Sequence, residues 1–154
     1  MMKRLIVIAL FLTKTFTVFS QQNNIPMSME SLAPNIMVKN VNETLDFYTK
    51  ILGFNLIDTN PTSGDFEWGF VKLGNVGFMF QEEKSLKNEY PIFNSVSIGG
   101  ALTFYIRVNH IEDLYKSIKE KVKIIKSMKK TFYGTNEFAI ADLNGFVLTF
   151  SETP

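Results

Sequence analysis

Few side chains in this sequence offer reactive chemistry. The 154 residues hold one histidine, His110, and no cysteine, which excludes disulfides, thiolate nucleophiles, zinc ribbons and iron–sulfur sites. His110 opens the helical pattern "HIEDLYKSIKEK", where a lone histidine reads as a cap or surface residue. There is no G-x-S-x-G nucleophile elbow, no glycine-rich phosphate loop and no dinucleotide fingerprint. The stretch "DLNG" at 142–145 lacks the third acid and the trailing glutamate of a calcium loop. What remains is a pair of glutamates, Glu67 and Glu137, set 70 positions apart. Two carboxylates brought to one site suit acid–base work. The plainer reading is a pair of edge acids, solvated or paired with Arg107.

That interval of 70 recurs along the chain. It aligns Val38 with Val108, Val41 with Ile111, Trp68 with Phe138, Phe70 with Ile140, Phe78 with Leu148, Phe80 with Phe150 and Glu82 with Glu152, with no gap. An apolar pattern held in phase over that length is a tandem duplication, which bears on the fold before any local reading. In the first unit "APNIMVKN" alternates as a strand. Next, "NETLDFYTKIL" takes helical spacing, with Asn40 or Asn42 as cap, Glu43 as the capping-box acid and Gly53 as terminator. Then come the strand "FNLIDT", a turn-rich loop, the strand "EWGFVKL", a Gly74-Asn75 turn and the strand "VGFMFQE". The second unit repeats this order, its helix opened by Asn109 or His110 and its last turn read as a tight Asn144-Gly145 hairpin. Residues 84–100 form a long connection. Each half is strand–helix–strand–strand–strand, and neither can bury its sheet without the other.

Composition agrees with a folded domain: 45% apolar, 20% charged and 15 phenylalanines. Ahead of it, Lys3 and Arg4 precede the apolar run "LIVIALFL", and Val18 and Ser20 are small residues suited to a cleavage site. Residues 1–20 are therefore expected to be a secretory signal peptide, too short to span a bilayer, with 21–31 as a linker. Removing Lys3, Arg4 and Lys14 takes the formal charge from +1 to −2, which gives no general attraction to nucleic acid or anionic membrane. The basic run "KEKVKIIKSMKK" at 119–130 reads as a solvated helix end and strand face.

The segment "VKNVNETLDFYTKILGF" resembles the opening of the vicinal oxygen chelate superfamily, which holds glyoxalase I, extradiol dioxygenases and bleomycin-resistance proteins. "ADLNGFVLTF" is similar to its closing aspartate-proline-aspartate-glycine-asparagine hairpin, with Leu143 and Asn144 departing from that pattern. The resemblance covers residues 32–152. It implies an α+β domain over 32–154, with two tandem βαβββ modules at about 32–83 and 101–153. Their strands would form one cupped, open, eight-stranded mixed sheet, with helices on the outer face and a site in the cup. The family's metal enzymes carry histidine or glutamate ligands at positions that fall here near Ala33, Met79 (or Gly77), Thr103 and Thr149. None of these offers a charged or imidazole ligand, so no metal and no cofactor is expected.

Strand alternation then divides the side chains into two faces. Ile36, Val38, Trp68, Phe70, Phe78 and Phe80, with their partners 70 residues on, should face the helices. The cup face should carry Asn35, Met37, Glu67, Gly69, Val71, Gly77, Met79 and Gln81, and in the second unit Thr103, Tyr105, Arg107, Glu137, Ala139, Val147, Thr149 and Ser151. Among these, Met37, Glu67, Met79, Gln81, Tyr105, Arg107, Glu137 and Thr149 are the expected ligand-binding set, with no catalytic residue assigned. Arg107 supplies a forked donor, Tyr105 a stacking face, Gln81 an amide and Met79 an adaptable wall. Phe132 and Tyr133 could close over the ligand. The reading is an exported, metal-free small-molecule-binding protein of the bleomycin-resistance type, with a homodimer left open. Two alternatives stand beside it: a metal-dependent lyase, isomerase or dioxygenase with displaced ligands, and a partner-binding module. Mass spectrometry of the protein from its own cells is expected to find a mature chain that begins at or near Gln21. An intact N-terminus in the cytoplasmic fraction would contradict the signal reading.

Overall fold

The computed structural model describes residues 30–100 and 102–153, so the expected signal peptide and nearly all of the linker lie outside the described residues. The first module opens with β1 (Asn35–Val38) and α1 (Val41–Asp46), which runs on as a π-helical turn over Phe47–Ile51. Asn40 caps α1: its Oδ1 accepts the Glu43 N–H at 3.1 Å, and its Nδ2 donates to Glu43 Oε1 at 3.1 Å. The first bond is the one a capping box at this Asn-x-x-Glu spacing makes; the second comes from the Asn40 side chain instead of its backbone N–H. Gly53, at φ 77°, ends the helix in the left-handed region. β2 (Asn55–Asn60), β3 (Trp68–Leu73) and β4 (Val76–Glu82) complete a four-stranded sheet in the order β1-β4-β3-β2. Asn42 pins the loop before β3, donating to the Gly64 carbonyl and accepting the Phe66 N–H, each at 2.8 Å.

The connection between modules is not plain loop. It holds α2 (Glu83–Glu89) and a 3-10 turn over Pro91–Phe93. The second module then repeats the first: β5 (Thr103–Arg107), α3 (Ile111–Ile118), β6 (Lys123–Lys130), β7 (Asn136–Ala141) and β8 (Val147–Glu152), in the order β5-β8-β7-β6. In each sheet the first and last strands run parallel and the other pairs antiparallel. Neither Asn109 nor His110 caps α3 with a side chain. Glu152 at the end of β8 does so instead, its carboxylate accepting the N–H of His110 at 2.6 Å and of Ile111 at 3.1 Å. Among the described residues no helix is long and apolar enough to cross a membrane.

One apolar cluster joins the two modules. Ile36, Val38, Phe78 and Phe80 from the first sheet meet Ile106, Phe138, Leu148 and Phe150 from the second, with Leu45, Tyr48, Ile111 and Ile118 packed from the helices. Tyr48 is wholly buried, and its ring lies 4.6 Å from that of Phe80, centre to centre. Its hydroxyl donates to Asp142 Oδ2 at 3.1 Å, while Asp142 Oδ1 accepts the N–H groups of Asn144 and Phe146 at 2.9 and 2.8 Å. Asn144 in turn donates to Thr44 Oγ1 at 3.0 Å and accepts the Lys39 N–H at 3.3 Å. The β7–β8 loop is thereby fastened onto the first module's helix.

The duplication is not gapless. Gly69 stands opposite Phe80 and Val71 opposite Phe78, whereas Phe138 stands opposite Phe150 and Ile140 opposite Leu148. Cross-strand partners share a face, so β4 maps onto β8 at an offset of 70 but β3 maps onto β7 at 69. The extra residue sits in the second hairpin. Leu73 pairs with Val76 around a two-residue turn, while Ala141 pairs with Val147 around the five residues Asp142–Phe146. Asn144-Gly145 is thus part of a longer loop rather than a tight turn, with the Gly145 N–H donating to the Asp142 carbonyl at 3.2 Å. One residue of slip reverses the faces of a strand, and the expected phase of β3 is corrected accordingly. Trp68 and Phe70 pair with Gln81 and Met79 on the face away from α1, and Gly69 and Val71 face the helix. A Cβ at Gly69 would lie 2.7 Å from Leu45 Cδ1, so a side chain there would require Leu45 to shift. In β5 the phase is as expected, with Ile106 in the core and Tyr105 and Arg107 exposed.

Burial raises the Asp142 carboxyl above its ordinary range, against the pull of hydrogen bonds from the Phe146 and Asn144 backbone, the Tyr48 hydroxyl and the Gly145 backbone. The folded chain therefore holds this proton more tightly than the unfolded chain does. Stability contributed by Asp142 is complete below its unfolded value of about 3.9 and declines as pH rises through the folded value. We expect Asp142→Asn to remove that decline. In urea unfolding as a function of pH, the variant should gain on the wild type as pH rises through the raised value and then run parallel to it.

Candidate functional site

Each sheet has a second face, away from α1 and α3, and the two are furnished differently. On the first sheet Gln81 is only 6% exposed and its amide is fully engaged. Oε1 accepts from Asn35 Nδ2 at 2.6 Å, and Nε2 donates to Ser85 Oγ at 3.2 Å and Glu89 Oε2 at 2.8 Å. Ser85 and Glu89 belong to α2, which therefore lies across this face. Met37 is buried, and Met79 is half-buried on the same face as Trp68 and Phe70, whose rings lie 6.5 Å apart. Phe70 covers Gly77, where a Cβ would come within 2.9 Å of its Cε2. Glu67 is exposed at the rim of a hollow it shares with Glu82, Lys84 and Glu89. This face is occupied by the protein's own side chains.

On the second sheet the same face carries a carboxylate ringed by hydroxyls. Three of them converge on Glu137 Oε1: Tyr105 at 2.7 Å, Tyr133 at 2.9 Å and Thr135 at 3.0 Å. The Tyr105 oxygen also stands 2.6 Å from Ser151 Oγ. The register explains the gathering, since Glu137 pairs with Ser151 on β8, and Thr149, two residues back, pairs with Tyr105 on β5. Thr135 follows from the alternation, two residues before Glu137, and Tyr133 arrives through a loop closed by the Thr131 N–H donating to the Thr135 carbonyl at 2.8 Å. The Glu137 residue is 2% exposed, while Tyr105, which donates to it, is 53% exposed. Oε2 has no partner among the described residues.

Burial pushes the Glu137 carboxyl up. The hydrogen bonds from Tyr105, Tyr133 and Thr135 and the positive charge of Lys126 outweigh it, and its pKa is held below the ordinary glutamate value. The Tyr133 phenol is raised in return, first by its hydrogen bond to Glu137. The group is thus a fixed anion at neutral pH and a weak base. A general base works best with a pKa near the operating pH, so the arrangement suits holding a ligand donor rather than abstracting a proton.

A second concavity, a cavity of about 410 Å³, lies between the modules. The β3–β4 hairpin tip forms one wall, and β5, Leu114 of α3 and Phe150 form the other. Arg107 lines it together with Asn109.

Of the eight expected site residues, Tyr105, Glu137 and Thr149 come together on the second sheet, and Arg107 stands at the cavity between modules. Met37 and Gln81 are covered, Met79 lies among aromatics, and Glu67 is apart from Glu137, having lost its symmetry relation to it. Thr135 and Lys126 were not anticipated. Thr135 was legible from its spacing to Glu137, but Lys126 reaches the site through irregular pairing of β6 with β7 that no alternation reveals. The positions where the resembled family binds metal hold Ala33, Met79, Thr103 and Thr149. One thioether and two neutral hydroxyls do not make a site for a hard divalent cation. Among the described residues no three His, Asp or Glu side chains converge to hold a metal ion. The residues present do not fit the family's metal.

A family model described as the Glyoxalase/Bleomycin resistance protein/Dioxygenase superfamily matches residues 31–150. No curated protein matches the chain. Among solved structures, the chain is similar to a bleomycin-binding protein from Streptomyces verticillus, solved with copper(II)-bleomycin. The two are 18% identical with a TM-score of 0.57, over 83% of this chain and 99% of that one. TioX from Micromonospora sp. ML1 is 14% identical with a TM-score of 0.65, over 82% and 100% of the chains. A glyoxalase-related enzyme from Fulvimarina pelagi is 14% identical with a TM-score of 0.67, over 82% and 90%. At these identities the likeness is one of fold.

Replacing Glu137 by glutamine keeps the acceptor but removes the charge that strengthens its three hydrogen bonds. A cost of about 1–2 kcal/mol is expected at neutral pH. Because the folded pKa is depressed, this stability is present above the unfolded value of about 4.3 and is lost as pH falls through the folded one. Thermal unfolding of wild type and Glu137→Gln should therefore differ at pH 7 and converge in acid.

Proposed function

Since the chain belongs to the Glyoxalase/Bleomycin resistance protein/Dioxygenase superfamily, we propose that it is a metal-free member that binds a small molecule outside the cytoplasm. The binding place is the face of the second sheet that lies away from α3. The observation that carries this reading is Glu137, ionised, with Oε1 saturated by three hydroxyls and Oε2 unengaged behind Tyr105 and Tyr133. Such a group accepts a hydrogen bond from a ligand donor, an amine or amide N–H above all. Tyr105, Tyr133 and the neighbouring Phe132 offer exposed aromatic surface, to which a cationic nitrogen is also drawn. The counterpart face of the first module is filled by α2 and by Trp68, Phe70 and Met79, which leaves one such site per chain. A bleomycin-binding protein of similar fold, solved with copper(II)-bleomycin, supports the use of the scaffold for holding a ligand. The residue set at the family's metal positions supports the same reading. The apolar run after Lys3 and Arg4 supports export.

Two measurements test the proposal together. Elemental analysis of the dialysed native protein should find no stoichiometric transition metal. A thermal-shift screen of amines and amides should give hits whose stabilisation is lost in Glu137→Gln and reduced in Tyr105→Phe. One tightly held zinc, nickel, iron or manganese ion per chain, or hits indifferent to both substitutions, would overturn it.

A further inference from the structure

The cavity between the modules is a separate place with opposite chemistry. Its walls are apolar almost throughout. Phe54 and Val76 come from the first module, Ile106 and Phe150 from the second, and Leu73, 45% exposed, also lines it. Its volume of about 410 Å³ lies in the range of about 300–1,000 Å³ usual for small-ligand pockets. Only two of its lining residues are polar, Arg107 and Asn109. Neither has a side-chain hydrogen bond or ion pair among the described residues, although Asp and Glu side chains elsewhere in the chain pair readily with lysines. A guanidinium left unpaired beside an apolar wall is a forked donor suited to a carboxylate, and the wall strengthens the attraction by excluding water.

We propose that this cavity binds an amphipathic carboxylate, an alkyl chain of medium length lying against Phe54, Val76 and Phe150 with its carboxylate on Arg107 and Asn109. The site is independent of Glu137, whose negative charge would repel such a ligand. Arg107 is the last residue of β5, the edge strand of its sheet, and lines the cavity from there.

The test is calorimetric titration of the full-length chain with hexanoate, octanoate, decanoate and dodecanoate, alongside the matching n-alcohols. Affinity for the carboxylates should rise about three- to four-fold per methylene until the chain outgrows the cavity. Arg107→Gln should weaken carboxylate binding at least ten-fold and leave the alcohols unchanged. Leu73→Trp, at a partly exposed position where the fold tolerates bulk, should fill the opening and weaken both series, its folding checked by thermal unfolding. Glu137→Gln should change neither, which separates this site from the one proposed for function. Carboxylates binding no better than alcohols, affinity indifferent to chain length, or binding that survives Leu73→Trp would each overturn the proposal.

Discussion

The contact on which the two modules depend is the hydroxyl of Tyr48 on the carboxylate of Asp142. Each partner is expensive to bury alone: an unsatisfied phenol or carboxyl in the core costs on the order of several kcal/mol. Together they are satisfied, and Asp142 spends its other oxygen on the Asn144 and Phe146 backbone. A five-residue loop is thereby shaped and fixed to α1 by the same side chain. Burial and the neighbouring Asp142 raise the Tyr48 phenol well above its usual value, so its proton stays in place. Through this link the position of β7 and β8 follows that of α1, and the shared core of Phe78, Phe80, Phe150 and Tyr48 closes around it.

The loop also explains where sequence reasoning held and where it did not. Two modules, their element order, the capping of α1 and the phases of β1, β4, β5 and β8 were legible, because alternation and cap chemistry are local. The phase of β3 was not. Aligning the halves at a constant interval forced Trp68 onto Phe138 and hid the single residue that the Asp142–Phe146 loop adds. The bulk of Trp68 and Phe70 then argued for the core, when the glycine between them was the better guide. Gly69 is small because α1 presses on it through Leu45, and small residues beneath a helix are as much a packing signal as large ones. The hydroxyl ring around Glu137 was half legible. Alternation gathers Tyr105, Glu137, Thr149 and Ser151 on one face, but Tyr133 enters by a loop whose closure depends on Thr131 and Thr135 in three dimensions.

The duplication has been used asymmetrically. In the first module the chain leaving β4 turns at once into α2, and Gln81 spends all its hydrogen-bonding capacity on Asn35, Ser85 and Glu89. The equivalent position in the second module is Ser151, a shorter side chain that leaves space for the Tyr105 hydroxyl. Gln81 and Ser151 stand at matching places in matching strands, one holding a lid and the other supporting a carboxylate. The same βαβββ frame thus gives one face to internal structure and the other to solvent.

The convergence of three hydroxyls on a single oxygen has a consequence for how such a site changes over generations. Any one donor can be lost while two still hold the anion, so substitutions at Tyr105, Tyr133 or Thr135 can accumulate singly without collapse of the charge they surround. These donors also form the rim that a molecule bound at the proposed site would touch. Selection for a new ligand can therefore redraw the rim one residue at a time around an anchor that persists throughout. Redundancy at the carboxylate is what would make the proposed site evolvable.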